Sequence, residues 1–111
     1  MKQNKFWSAL LIVLLLSACG SSTGTLKGAI LNCGSPVADA TVTMYVGSDP
    51  QAETVTDSSG QYTFDEVKPG DYMLSAKWND IYLISPGHTT IKAGKTTEFN
   101  MDFENGGQVC P

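Results

Sequence analysis

At 111 residues the chain has room for one domain at most, and its 11 glycines and 5 prolines suit short strands joined by turns rather than long helices. Seven basic residues, all lysine, face 11 acids for a net charge of −4. The lysines are scattered, so nucleic acid, whose binding rests on neutralising phosphates, is excluded as a partner.

Residues 1–18 read as an export signal. Lys2 and Lys5 form a basic start, Phe6 to Leu16 is apolar, and Leu16-Ser17-Ala18-Cys19 closes on small residues before a cysteine. The apolar run is short for a membrane span. Leu-Ser-Ala-Cys resembles the lipobox of bacterial lipoproteins. That resemblance implies cleavage before Cys19 and acylation of Cys19, which becomes the first mature residue and holds the protein on a membrane without spanning it. Gly20, where an aspartate commonly retains such lipoproteins in the inner membrane, implies the outer membrane of a bacterial envelope. Removing the signal leaves 5 lysines against 11 acids, a net charge of −6.

Residues 19–24 make a small polar tether, and residues 25–111 are expected to form the domain. Alternation begins at Thr25, with Leu26, Gly28 and Ile30 on one face; a glycine on the buried face implies that another backbone or a large ring packs close there. Asn32-Cys33-Gly34-Ser35-Pro36 is a turn. Ala40, Val42, Met44 and Val46 are expected inward, with Thr41, Thr43 and Tyr45 outward, and Gly47 to Pro50 is expected as a loop. Glu53 to Thr56 is a short strand. Asp57-Ser58-Ser59-Gly60 and Pro69-Gly70 then mark two tight corners around Tyr62 and Phe64. Tyr72, Leu74 and Ala76 continue the inward face, and Trp78 to Ile84 carries apolar residues on both parities. His88 to Lys92 reads as a strand, Ala93-Gly94-Lys95 as a hairpin turn, and Thr96 to Glu104 as the last strand with Phe99, Met101 and Phe103 on one face. The whole is an all-β, roughly seven-stranded antiparallel sandwich.

Leu26-x-Gly28-x-Ile30, Gly34 to Val42, Thr56-Asp57-x-x-Gly60-x-Tyr62-x-Phe64 and Pro69-Gly70-x-Tyr72-x-Leu74 resemble the carboxypeptidase regulatory-like domain. That family is a transthyretin-like Greek-key sandwich related to the B-type repeats of bacterial adhesins. The resemblance implies a fold and no shared catalytic set.

With Cys19 acylated, Cys33 and Cys110 remain in an exported chain, where thiols normally pair. Two free thiols or a metal pair are the alternatives; no C-x-x-C spacing exists, and His88 is distant from both in sequence. The family resemblance implies parallel, adjacent first and last strands, which would bring the two cysteines to one end. Related adhesin repeats carry a lysine–asparagine isopeptide bond, but Lys27 and Asn100 both alternate outward and Leu74 to Lys77 supplies no acid. Asp57-Ser58-Ser59-Gly60 lacks the repeated acids of a calcium loop.

No catalytic residues, cofactor or metal are expected: His88 has no acid or activated serine near it in sequence. The candidate recognition surface is Trp78, Asn79, Asp80 and Tyr82, where aromatic rings beside amide and carboxylate groups suit a protein partner or a sugar ring; the other reading of Trp78 and Tyr82 is core packing. The expected role is a non-catalytic envelope lipoprotein that binds another envelope protein, with carbohydrate or small-ligand binding as the alternative.

Overall fold

The computed structural model describes residues 22–111; the export signal and Cys19 lie outside the described residues. The strands are β1 (Gly24–Asn32), β2 (Ser35–Pro36), β3 (Thr41–Val46), β4 (Asp49–Val55), β5 (Gln61–Val67), β6 (Gly70–Trp78), β7 (Ile81–Ile84), β8 (Thr89–Ile91), β9 (Thr96–Glu98) and β10 (Met101–Asp102), followed by a 3-10 turn at Glu104–Gly107.

They form two sheets facing each other. In the first, β1 is central: β5 runs antiparallel on one edge, placing Phe64 opposite Leu26 and Tyr62 opposite Gly28. On the other edge β9 and β10 run parallel to β1, with Thr97 opposite Leu26 and Met101 opposite Ile30. Cys33 and Gly34, at φ 54° and 82°, make the two-residue turn that returns the chain as β2. The second sheet has the order β4-β3-β6-β7, with β8 beside the start of β6. Leu26, Ile30, Tyr62 and Phe64 from one sheet meet Val42, Met44, Leu74 and Ala76 from the other, and Ile91, Met101 and Phe103 close the core. The two sheets thus bury the alternate side chains that period-2 patterning assigns inward.

Gly28 faces what its position implied. A Cβ there would lie 1.8 Å from the Phe99 carbonyl oxygen and 2.9 Å from the Tyr62 hydroxyl. The Phe99 carbonyl folds inward over Gly28 and accepts the Tyr62 hydroxyl. The last strand is therefore broken between β9 and β10, where Asn100 Oδ1 accepts the Ala29 N–H at 2.8 Å. The second sheet has a matching break between β7 and β8, bridged by Ser85, whose Oγ accepts the Leu74 N–H at 3.0 Å.

The family corners are equally explicit. Asp57 Oδ1 accepts the N–H groups of Ser59 and Gln61, and Gly60 takes φ 77°, so the four residues form a turn. Buried Thr56 Oγ1 donates to the Val37 carbonyl and accepts the Ala40 N–H. The Tyr72 hydroxyl reaches back to the Lys68 carbonyl at 2.6 Å, fastening the Pro69-Gly70 corner.

Several expectations are corrected. The loop expected at Gly47 to Pro50 shrinks to Gly47 and Ser48, because Val46 already pairs with Asp49. Val46 itself is 48% exposed, at the strand's end beyond the core. Ala93 to Lys95 is a crossover between sheets, since β8 pairs with β6 while β9 pairs with β1.

Gly28→Ala should destabilise the domain by about 3 kcal/mol, because the clash is with backbone that cannot rotate away. Urea unfolding of the variant, with a Tyr62→Phe variant showing the smaller loss of one hydrogen bond, checks this.

Candidate functional site

The strongest surface features gather where β6 turns into β7. Asn79, at φ 56°, and Asp80 form a two-residue turn with Trp78 opposite Ile81 and Lys77 opposite Tyr82. Alternation along β6 sends Trp78 inward with Leu74 and Ala76, and the hairpin register sends Tyr82 outward with Lys77. The four expected recognition residues are therefore not one surface. Trp78 is half-buried and packs on Phe103, ring centres 5.9 Å apart; Asn79 and Asp80 are the exposed turn; Tyr82 is 55% exposed on the opposite face. The parity of Leu74, Ala76 and Trp78 placed Trp78 inward in the sequence, but the turn register that sends Tyr82 to the other face was not visible there.

β7 is an edge strand with no partner on its outer side among the described residues. Its inward side chains, Ile81 and Leu83, face Phe99, Met101 and Phe103 across an open groove of about 680 Å³ between the edges of the two sheets. Its outward side chains, Tyr82 and Ile84, are each more than half exposed. Four consecutive large apolar or aromatic side chains thus stand on an unpaired edge. Asp102 and Glu104 line the groove near Gly106 and Gly107, and Asp80 flanks it beside Ile81.

On the outer face of the same sheet, Thr43 and Ser75 point outward yet are buried. The hydroxyls of Ser75, Tyr82 and Thr43 gather on Tyr45 and hold its hydroxyl below the usual tyrosine range, Ser75 contributing most and the Glu53 charge opposing them. Thr43 Oγ1 also lies 3.5 Å from Glu53 Oε2. Sequence alternation placed Tyr45 outward but could not show that its hydroxyl meets that of Tyr82.

Cys33 and Cys110 are joined, with Cα atoms 5.7 Å apart and a sequence separation of 77. The Asp102 carboxylate, unmarked in the sequence, accepts the N–H groups of Glu104 at 2.7 Å, Cys33 at 2.8 Å and Gly34 at 3.0 Å. Those bonds, that of Glu104 first, hold its carboxyl below the ordinary carboxylate range. Asn32 Oδ1 accepts the Asn105 N–H at 2.7 Å. Disulfide, carboxylate and amide together tie the chain end to the β1–β2 turn.

His88 is exposed just before β8. Lys27 and Asn100 are both exposed, and the Asn100 side-chain oxygen is engaged by Ala29. Among the described residues no group of three or more His, Cys, Asp or Glu side chains is placed to hold a metal.

Two facing sheets with parallel first and last strands define a transthyretin-like, immunoglobulin-like β-sandwich. The chain belongs to the carboxypeptidase regulatory-like domain family, whose model matches residues 25–104. Among solved structures it is similar to the Bacillus anthracis TIE protein, with 18% identity and a TM-score of 0.58 over 73% of this chain and 16% of that one. It is similar also to the Streptococcus agalactiae minor pilin GBS52, with 23% identity and a TM-score of 0.57 over 75% of this chain and 44% of the pilin. A third, described as a candidate carbohydrate-binding protein of Bacteroides uniformis, has 14% identity and a TM-score of 0.56 over 70% of this chain and 40% of that one. The chain thus spans less than half of each, and the likeness is one of fold. No curated protein is a significant sequence match.

Asp102 titrates low in the folded state, so in acid the unfolded chain binds more protons than the folded one. Its stabilisation is fully present above the unfolded value of about 3.9 and is lost as pH falls through the lower folded value. Asp102→Asn should cost about 1 kcal/mol at neutral pH. The gap to the parent should narrow in acid; urea unfolding across pH checks both. Reducing the disulfide should cost about 4–5 kcal/mol on the chain-entropy model, and intact mass before and after reduction should differ by two hydrogens, about 2 Da.

Proposed function

We propose that the chain is a non-catalytic, lipid-anchored interaction module of the bacterial envelope that presents β7 and its groove to a protein partner. Acylation at Cys19 would hold it on a membrane, the outer membrane by the absence of an aspartate at Gly20, and the residues between Cys19 and β1, which begins at Gly24, would hold the domain a short way off the lipid. The observation that carries this reading is the bare β7 edge: Ile81, Tyr82, Leu83 and Ile84 are adjacent, unpaired on one side and partly or largely exposed. A surface of that kind is stable in water when a partner covers it. The non-catalytic part rests on the family and on His88, which is exposed and has no acid or activated serine near it in sequence.

A second reading, saccharide binding, is favoured by one observation: the Tyr45 hydroxyl is influenced by those of Ser75, Tyr82 and Thr43 and by the Glu53 carboxylate, all on one sheet face. Stacking rings flanked by hydroxyl and carboxylate groups are what a sugar ring requires.

Cys19→Ser should release the protein from membranes or block its processing, followed by fractionation; unchanged membrane association counts against the anchor. A photo-cross-linker in place of Tyr82 in living cells should yield one recurrent protein adduct. A folded, abundant protein giving no protein adduct, together with a hit on a glycan array lost in Tyr45→Ala, favours the saccharide reading.

A further inference from the structure

We infer that the groove takes an extended peptide strand with a basic end, which adds to the second sheet by pairing with β7. This rests on the reading of β7 as the contact edge and specifies what sits there.

The two outer strands of the second sheet are built in opposite ways. β4, at one edge, carries Pro50, the acids Asp49 and Glu53, and a register shift opposite Met44 and Tyr45, where Met44 pairs with Ala52 and Tyr45 with Pro50. Proline, charge and a bulge are the devices by which an edge is closed to further pairing. β7, at the other edge, reads Ile-Tyr-Leu-Ile with none of them. The same sheet therefore blocks one edge and leaves the other open.

An extended peptide matches that edge in both backbone and side chains. Each strand residue directs its backbone N–H and C=O to one side, so alternate residues of β7 turn these groups away from β6 toward the open edge. A helix or a folded surface would leave them unpaired, whereas an added strand satisfies them. Alternate side chains of that strand would enter the groove, whose walls are Ile81 and Leu83 on one side and Phe99, Met101 and Phe103 on the other.

Charge sets the polarity of the occupant. The charged residues on the groove are Asp102 and Glu104, at the end that abuts Gly106, and Asp80 stands at the same end beside Ile81. No lysine lines it. Asp102 is already engaged by three N–H groups, which leaves Asp80 and Glu104, both exposed, as the freer carboxylates. A lysine or arginine at the end of the strand lying beside the Asn79-Asp80 turn meets these groups. A second copy of this chain would bring another domain with 5 lysines and 11 acids, so self-pairing is opposed by charge.

The test uses the full chain in neutral detergent micelles and a short synthetic peptide of alternating valine and threonine with a lysine pair at one end. Binding is followed by fluorescence anisotropy, and backbone protection by hydrogen exchange. Saturable binding with slowed exchange at Tyr82 and Ile84, whose N–H groups face the open edge, is expected. Methylating the peptide nitrogens that face β7 should weaken binding at least about tenfold, the scale of one lost hydrogen bond. Replacing the lysines with glutamates, or Asp80→Lys in the protein, should each weaken it several-fold at low salt and less at high salt. Binding indifferent to backbone methylation, or no binding, overturns the strand pairing. Protection of β7 that instead grows with protein concentration, alongside dimers in sedimentation, overturns it in favour of a second copy. A protein adduct at Tyr82 in cells with no peptide binding removes this inference while leaving the contact edge standing; absence of both removes the two together.

Discussion

The Phe99 carbonyl lies over Gly28 and is capped by the Tyr62 hydroxyl, and the far half of the domain takes its place from that contact. Without a side chain at position 28, the last strand can turn a peptide group inward instead of continuing flat along β1. A buried carbonyl needs a donor, and Tyr62, on the strand across β1, supplies it. Burial, with the Glu98 charge in addition, pushes the Tyr62 hydroxyl above its usual range, so it remains a neutral donor. Beyond that bend the chain resumes pairing at Met101 opposite Ile30, drops Met101 and Phe103 into the core, and sets Asp102 against the Cys33-Gly34 turn. The disulfide then closes a geometry the bend has already prepared.

The same bend opens the domain on one side. β9 and β10 are short and broken, as are β7 and β8, and the breaks are bridged by side chains, Asn100 on one sheet and Ser85 on the other. Side-chain groups standing in for backbone satisfy the donors of β1 and β6 at the breaks. The two sheet edges part beside these breaks, and the groove between β7 and β10 fills the space. The opposite edge of the second sheet, with Pro50 and its register shift, is finished for water.

The residues that mark the family serve its corners. Thr56, Asp57, Gly60, Tyr62 and Tyr72 each satisfy a backbone group or hold a required φ. These corners admit few alternative residues, which is why they point to a fold and leave the ligand open. The tie between the chain end and Cys33, the hydroxyls around Tyr45 and the bare β7 edge lie outside those corners.

Local chemistry made much of this legible from the residues. Turns were visible because Asp57, Gly60, Pro69 and Gly70 determine their own backbone, and inward faces were visible because a strand alternates with period two. The partner of Gly28 was announced as a close neighbour by the missing side chain alone. Trp78 and Tyr82 were grouped because they are near in sequence, and only the pairing of Trp78 with Ile81 separated them to opposite faces. Likewise, nothing next to Asp102 in the sequence points to Cys33, which is 69 residues away and reached through parallel pairing with β1. The sequence by itself determined the corners at Asp57 to Gly60 and Pro69-Gly70, the inward faces of the central strands and most of the core. Tertiary structure decided which edges stay open, which hydroxyls meet and where the acids converge, because those depend on contacts between strands far apart in the chain, and strand alternation carries no record of them.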